Sequence, residues 1–163
     1  YASRENIIYN KGCLDAAFVY CDSSEVKITN ILHSNAVTFP DTVSTEIVIP
    51  IEGQNIYMKG ATTYGATSSY ALGKVLCESA AFTDVINGDT VTYVRDAIFT
   101  SYTGQSGDSG GIVFAFNSHN TLYPNQYLAT VGIHKAYRHR GDTIYSVCVK
   151  AGNINSAFGL SRY

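Results

Sequence analysis

The stretch TGQSGDSGG, residues 103–111, decides how the rest of this sequence is interpreted. A serine hydroxyl is a weak nucleophile unless it stands in a tight, exposed turn beside a base, with backbone N–H groups free to stabilise an oxyanion. Gly107 permits such a turn, and the paired glycines after Ser109 leave room for a substrate. Most clusters of Gly, Ser and Asp are surface loops, but a simple loop does not require Asp108 directly before the serine. The segment therefore indicates a nucleophilic serine.

The sequence around this segment consists of short runs rich in Val, Ile, Thr, Tyr and Phe, each bounded by Gly, Asn, Asp, Ser or Pro. The best helical segment is Ile154–Leu160. Because no helices are available to carry parallel crossovers, the runs predict an all-β chain that folds as an antiparallel barrel or sandwich. The predicted strands are Ala16–Tyr20, Glu25–Ile31, Thr45–Ile51, Asn55–Met58, Lys74–Cys77, Thr90–Val94, Ile112–Phe116, Leu128–Ile133 and Thr143–Val149.

Composition excludes several classes of protein. With 163 residues, 45% hydrophobic, 15% charged and a net charge of −2, the chain has the make-up of a folded globular protein rather than a disordered one. It contains no Lys/Arg-rich run, so we expect no nucleic-acid partner and no anionic membrane partner. Its apolar runs are too short to span a bilayer.

The four cysteines, at positions 13, 21, 77 and 148, do not have the spacing of a zinc site, and we expect neither a metal nor another cofactor. Disulfides and free thiols both remain open. If disulfides form, the least entangled pairs are Cys13–Cys21 and Cys77–Cys148.

The pentapeptide GDSGG, residues 107–111, matches residue for residue the nucleophile motif of the chymotrypsin-like serine endopeptidases, which fold as two six-stranded antiparallel β-barrels. The resemblance covers nearly the whole chain from Gly12. It implies that residues 1–45 hold the last strands of the first barrel and a connector, and that residues 46–163 form a second, complete barrel with a short C-terminal helix. Weaker matches occur in the family's order at Leu14–Val19 (aspartate segment), Lys59–Gly65 (start of the second barrel), Val131–His134 (pocket strand), Tyr145–Val149 (last pocket strand) and Asn153–Leu160 (terminal helix).

The resemblance also implies roles for individual residues. Ser109 would be the nucleophile of peptide-bond hydrolysis through an acyl-enzyme, and the N–H groups of Gly107 and Ser109 would form the oxyanion hole. Asp15 would orient the catalytic imidazole, although it is also a plausible strand-start aspartate. Asp108 would be a structural acid. This chemistry requires no cofactor.

The catalytic histidine is missing from its expected place. The family carries its general base well upstream of the aspartate, but the fourteen residues before Asp15 include no His. His33 could act only in a rearranged fold, and His119 and His139 have the surroundings of loop histidines. We therefore expect the chain to begin between the histidine and aspartate segments, with the base on an N-terminal fragment of the same precursor. The alternatives are an inactive protease-like binding or structural module, and an unrelated all-β binding domain with a chance motif.

The resemblance also predicts the specificity pocket. Thr103, six residues before the nucleophile, would lie at the pocket base, where the absence of an acid disfavours Lys or Arg at P1, the substrate residue before the cleaved bond. His134 matches the position at which glutamyl endopeptidases and several viral relatives carry a histidine facing P1. With hydroxyls such as those of Thr103 and Ser106, it could bind Glu, then Gln, in preference to a large apolar residue. The alternative is a buried core histidine.

We expect protein or peptide substrates. Family habit and the cysteine count favour a secreted enzyme over a viral polyprotein protease.

Overall fold

The computed structural model describes residues 43–63, 70–116 and 128–160. These residues form seven strands and one short helix. The predicted strands Ala16–Tyr20 and Glu25–Ile31 lie outside the described residues. None of the described helices is both long and apolar enough to cross a membrane. The elements are β1 (Val43–Ile47), β2 (Asn55–Lys59), β3 (Ala71–Ile86), β4 (Asp89–Thr100), β5 (Ile112–Phe116), β6 (Leu128–Arg140), β7 (Thr143–Lys150) and α1 (Ala151–Phe158).

Six of the strands form a closed antiparallel ring. The sheet has the order β1-β6-β5-β2-β3-β4-β7, and an additional pairing of β6 with β7 joins the two sides of the ring. The all-β, antiparallel prediction is therefore confirmed for these six strands. β1 differs, because it lies parallel to β6, with Val43 opposite Leu128. The predicted division between residues 45 and 46 falls inside β1, so this strand is continuous across it.

β3 and β4 are much longer than predicted, with 16 and 12 residues. They are joined by Asn87 and Gly88, both at positive φ (53° and 88°), which suits the tight turn of a two-residue hairpin. Irregular register interrupts their pairing between Val75 and Thr83. In this region Ser and Ala residues weaken the strand signal in the sequence, and pairing with the neighbouring strand compensates for it.

Side chains alternate between the inside of the ring and its outer surface, as the two-residue period of a strand requires. The interior cluster contains Ile56, Met58, Val113 and Cys148. A second cluster lies on the outer surface of β6 and β7. There the β3–β4 hairpin contributes Phe82, and α1 covers the cluster with Ile154. Truncating such a fully buried residue to alanine costs about 2–5 kcal/mol, so both clusters hold the site region in place.

Cys77 and Cys148 are free thiols, so the Cys77–Cys148 bridge considered from the sequence does not form. Cys148 points into the interior of the ring from β7, whereas Cys77 is half-buried on β3. Cys13 and Cys21 lie outside the described residues.

Candidate active site

The segment that contains the GDSGG motif forms a tight loop between β4 and β5. The N–H of Asp108 donates to the Gln105 carbonyl at 3.1 Å, and the N–H of Gly111 donates to the Asp108 carbonyl at 2.8 Å. Gly107 and Gly110 adopt φ values of +97° and +87°, a region that side chains rarely tolerate. A Cβ atom on Gly107 would also lie 2.3 Å from the Thr62 hydroxyl oxygen. The loop conformation thus depends on glycine at this position.

The carboxylate of Asp108 anchors the loop on its buried side. It is fully buried, and both of its oxygens are saturated with donors. Oδ1 accepts the N–H groups of Thr62 (2.8 Å) and Thr63 (2.7 Å), and Oδ2 accepts the Thr63 hydroxyl and the N–H of Gln105 (2.8 Å). Burial raises the pKa of this carboxyl, but the hydrogen bonds outweigh it and hold the pKa below its ordinary value. Asp108 is therefore a buried anion that joins the loop to the segment after β2.

Ser109 is exposed at the surface of the loop. Its hydroxyl donates to the Lys135 carbonyl at 3.0 Å. The backbone N–H groups of Gly107 and Ser109 have no acceptor among residues 43–63, 70–116 and 128–160. Two such donors beside a hydroxyl can stabilise negative charge that develops on a substrate oxygen. A carbonyl oxygen is not a base at neutral pH, so the Lys135 contact positions the hydroxyl without activating it.

The strand β6 runs alongside the nucleophile loop and is fixed to it by two backbone hydrogen bonds. Gly110 N–H donates to the His134 carbonyl at 2.8 Å, and His134 N–H donates to the Gly111 carbonyl at 2.7 Å. From residue 134 to 140 the described strand pairings of β6 are with β7 only. A cleft of about 510 Å³ lies here, between loop residues 105–107 and 109 on one side and β6 residues 134–139 on the other. This geometry suits an extended peptide.

The imidazole of His134 is buried at this cleft, only 1% exposed. Its Nδ1 lies 3.1 Å from the hydroxyl of Tyr102, which is itself fully buried. Burial lowers the pKa of His134, and the charge of Asp108 opposes this shift only in part. Burial also raises the pKa of Tyr102, so the phenol keeps its proton. Nε2 lies beside Gly104, where an added Cβ would come within 2.8 Å of it. The pair is thus neutral, and the imidazole packs so closely against residue 104 that only glycine fits there.

The structure brings four of the predicted site residues to one cleft: Ser106, Gly107, Ser109 and His134. Thr103, predicted at the pocket base, is exposed and does not line this cleft. Asp15 lies outside the described residues, as do His33 and His119.

Sequence reasoning missed the partners that hold these groups. Thr62 and Thr63 bind Asp108, Tyr102 binds His134, and the Lys135 carbonyl binds Ser109. The two threonines stand in the Lys59–Gly65 match, which is the only signal that pointed toward them. Tyr102 and Lys135 carry no local signal, because their contacts join segments distant in sequence. Within the described part of the chain, His, Cys, Asp and Glu residues form no group of three or more that could hold a metal ion.

No protein-family model matches the sequence, and no curated protein matches it. Solved structures do. A chymotrypsin of Cellulomonas bogoriensis superposes with a TM-score of 0.54 at 15% identity, covering 83% of this chain and 62% of that protein. A glutamic acid-specific serine protease, described as using a histidine triad in substrate binding, gives a TM-score of 0.52 at 20% identity, covering 89% and 65%. The chain thus spans less than two thirds of either neighbour's length. Together with the antiparallel ring and the loop geometry, these similarities show that the chain has the fold of the chymotrypsin-like serine proteases.

Proposed function

We propose that this chain is the nucleophile-bearing part of a serine endopeptidase that cleaves peptide bonds through an acyl-enzyme on Ser109. The observation that carries the proposal is an exposed hydroxyl in a glycine-shaped turn beside two N–H groups that have no acceptor among the described residues. The Ser109 oxygen attacks the peptide carbonyl, and the N–H groups of Gly107 and Ser109 hold the oxyanion. The amine then leaves with the proton that the base took from Ser109, and water hydrolyses the ester. An oxyanion-hole donor contributes about 100- to 1000-fold to the rate in such enzymes.

The base that accepts the Ser109 proton lies outside the described residues in this proposal. The described part of the chain shows no hydrogen bond from the Ser109 hydroxyl to an imidazole, and His134 is buried against Tyr102. We place the catalytic histidine on an N-terminal fragment of the same precursor, and Asp15 beside it as the orienting acid. The imidazole would draw the Ser109 hydroxyl away from the Lys135 carbonyl.

His134 supports a preference for Glu, then Gln, at P1. A Tyr102 hydroxyl that donates to Nδ1 leaves the proton of the neutral ring on Nε2, the ring nitrogen that lies beside Gly104. An Nε2–H group donates to the carboxylate of Glu or to the amide oxygen of Gln, whereas an apolar P1 residue would leave it unpaired. One structural neighbour is glutamic acid-specific. That neighbour is described with a histidine triad, whereas the described residues here give His134 a tyrosine partner.

The test is labelling of Ser109 by a fluorophosphonate, with and without an N-terminal fragment that carries a histidine, and with Ser109→Ala as the control. We expect labelling that requires the fragment and is lost in the control. A folded two-piece complex that is not labelled would instead indicate an inactive protease-like binding module. Intact mass under denaturing conditions shows whether a second polypeptide accompanies the chain in natural material. A fluorogenic peptide panel then tests the pocket, and best cleavage after Arg or Lys would contradict it.

A further inference from the structure

We propose that Asn87 is a site of spontaneous deamidation, in which its side-chain amide becomes a carboxylate at the tip of the β3–β4 hairpin. Asn87 is the only asparagine of the sequence that is followed by a glycine. Together with Gly88 it forms the turn that joins Ile86 to Asp89, and these two residues pair across the hairpin. The proposal is independent of the proposed function, because the reaction involves neither Ser109 nor the cleft.

The reaction joins the Asn87 side chain to the next backbone nitrogen. A bond forms between the Gly88 nitrogen and Cγ of Asn87, the bond from Cγ to the amide nitrogen breaks, and ammonia leaves with the Gly88 proton. Water then opens the resulting succinimide ring. Attack of water at Cγ gives aspartate, and attack at the backbone carbonyl gives isoaspartate, in which the main chain continues through the side chain. Water is the only co-reactant, and each product adds one negative charge.

The structure leaves both reacting groups uncovered. Asn87 and Gly88 are exposed, and a Cβ atom added to Gly88 would have no neighbouring atom within 4 Å. Among residues 43–63, 70–116 and 128–160, the N–H of Gly88 has no hydrogen-bond acceptor. A nitrogen that carries no neighbouring Cβ and donates no hydrogen bond is open to approach by the Asn87 side chain.

The turn must open briefly for the ring to close, because closure changes the backbone conformation of Asn87. Exposed loop tips open at little cost in free energy, since few buried contacts hold them. Asn87, Gly88 and Asp89 are all exposed, and Val85 on the same hairpin is 65% exposed. The folded turn should therefore slow the reaction only modestly relative to a free peptide of the same sequence.

The other asparagines of the described ranges are protected. Asn55 lies in a paired strand and precedes the fully buried Ile56, whose β-branched side chain crowds its own nitrogen. Asn153 and Asn155 lie in α1, and the side chain of Asn153 donates to Asp96. The helix holds the backbone of both residues in a fixed conformation. Asn87 is thus the reactive position of the described chain.

The two products have different effects on the hairpin. Asp-Gly is a favoured sequence for a two-residue turn, as Asn-Gly is, so the aspartate product keeps the hairpin. Isoaspartate adds one atom to the main chain between residues 87 and 88, which a turn that fixes the strand register cannot accommodate. Phe82 lies in the same hairpin and packs against Arg138, so the isoaspartate product also disturbs a contact of the cleft wall.

The test is incubation of the full native chain at mildly alkaline pH and physiological temperature, with a synthetic peptide of residues 82–92 as the reference. Peptide mass mapping follows the conversion of amide to acid, and an isoaspartate-specific methyltransferase distinguishes the two products. We expect Asn87 to react at a rate within about tenfold of the peptide's, and Asn55 to stay unmodified. An Asn87 amide that stays intact while the peptide is fully converted would overturn the proposal, as would equal rates at Asn87 and Asn55.

Variants separate the chemistry from the fold. Gly88→Ala should slow the reaction by about tenfold or more in the chain and in the peptide, because the methyl group shields the nitrogen. The peptide keeps this comparison valid if the Gly88→Ala chain is unstable at φ +88°. The Ser109→Ala chain should react at the native rate, and a slower rate would contradict a spontaneous reaction.

Urea unfolding tests the effect of each product. The chromatographically separated isoaspartate form should unfold at a lower urea concentration than the native chain. Asn87→Asp, which reproduces the aspartate product, should unfold with the native midpoint, as should Asn55→Asp, the matched control for the added charge. An isoaspartate form with the native midpoint would refute the role assigned to the turn.

Discussion

Replacing Asp108 by asparagine is expected to destabilise the fold strongly, although the side chain keeps its size. Four donors surround the carboxylate, two at each oxygen. The amide NH₂ must replace one oxygen. At Oδ2, the Thr63 hydroxyl can rotate to accept from it, but the Gln105 N–H then faces a donor. At Oδ1, the N–H groups of both Thr62 and Thr63 would face it, so the Oδ2 arrangement is preferred.

The magnitude follows from these contacts. A hydrogen bond to a charged group contributes about 1.5–3 kcal/mol, and a buried donor left without an acceptor costs about 1–3 kcal/mol. We therefore expect Asp108→Asn to lower the free energy of unfolding by about 3–5 kcal/mol. The surroundings cannot relax easily, since Gly60 packs so closely on the carboxylate that an added Cβ would lie 2.2 Å from Oδ1.

The pH dependence gives a second, independent signature. The folded-state pKa of Asp108 lies below its unfolded value of about 3.9, because hydrogen bonds outweigh burial. Its charge-linked stabilisation is therefore complete above that unfolded pKa and is lost as the pH falls through the folded pKa. The native protein should lose more stability between pH 7 and about pH 2 than the Asp108→Asn variant does.

The assay is urea or guanidinium unfolding at several pH values. Asp89→Asn, at the exposed first residue of β4, is the matched control and should change stability by less than about 0.5 kcal/mol. The account of Asp108 would be refuted if Asp108→Asn behaved like Asp89→Asn at pH 7, or if native and variant proteins lost stability in parallel at low pH.

Four further predictions follow from particular contacts. Gly107→Ala should lower the free energy of unfolding by about 1–3 kcal/mol and abolish fluorophosphonate labelling, because the alanine would be strained at φ +97° and would clash with Thr62. Gly53→Ala, also at positive φ but in open space, should keep the labelling and lower the free energy of unfolding less in parallel urea titrations. Tyr102→Phe should reduce the kcat/KM preference for Glu over an apolar P1 residue by about tenfold, since Nδ1 of His134 loses its hydrogen-bond partner. Tyr145→Phe in the outer cluster should leave the ratio unchanged. Asp96 adopts φ +54° and binds Ser79, Lys150 and Asn153, so in thermal or urea unfolding Asp96→Val should lower the free energy of unfolding by about 1–3 kcal/mol. Asp96→Asn should lower it clearly less, because asparagine tolerates positive φ, and equal losses of stability would contradict this account. Burial raises the pKa of the Cys148 thiol, so iodoacetamide applied to the native protein should modify Cys77 and leave Cys148 unmodified, as read by peptide mass mapping. Modification of both thiols at equal rates would show that Cys148 is not enclosed.

The strands that are regular in sequence are also the ones whose bounds could be predicted. Ile112–Phe116 has the predicted limits because glycines precede it and its residues all favour β structure. β3 and β6 extend well beyond their predicted ends, to Ile86 and Arg140. Their additional lengths contain Glu, Ser, Ala and basic residues, which have little intrinsic preference for strands. Pairing across the hairpins supplies the stabilisation there, and hairpin register is a non-local property that a linear pattern does not encode.

The candidate site also has one part that local sequence predicts and another that depends on contacts distant in sequence. The tight turn at Ser109 could be predicted, because the glycines and the acid that shape it stand at neighbouring positions of one short motif. The supports of the turn could not, because Thr63 and Asp108 are 45 positions apart and Tyr102 and His134 are 32 apart. In the sequence alone, Tyr102 cannot be distinguished from an ordinary core residue, because its contact with a histidine forms only in the folded chain. The role of Thr103 is inferred from its offset to Ser109 alone; the residue is exposed and is not among those that line the cleft with Ser106, and its place at the pocket base stays a prediction.

The guanidinium of Arg138 on β6 lies 5.0 Å from the centroid of the Phe82 ring on β3, and this contact joins the β3–β4 hairpin to the wall of the cleft. Phe82 belongs to the outer cluster, and it packs against a guanidinium on the strand that borders Ser109. Substitutions in the hairpin can therefore change the wall of the cleft while the nucleophile loop keeps its sequence. A library confined to positions around Phe82 would vary the cleft wall independently of the loop in a single chain.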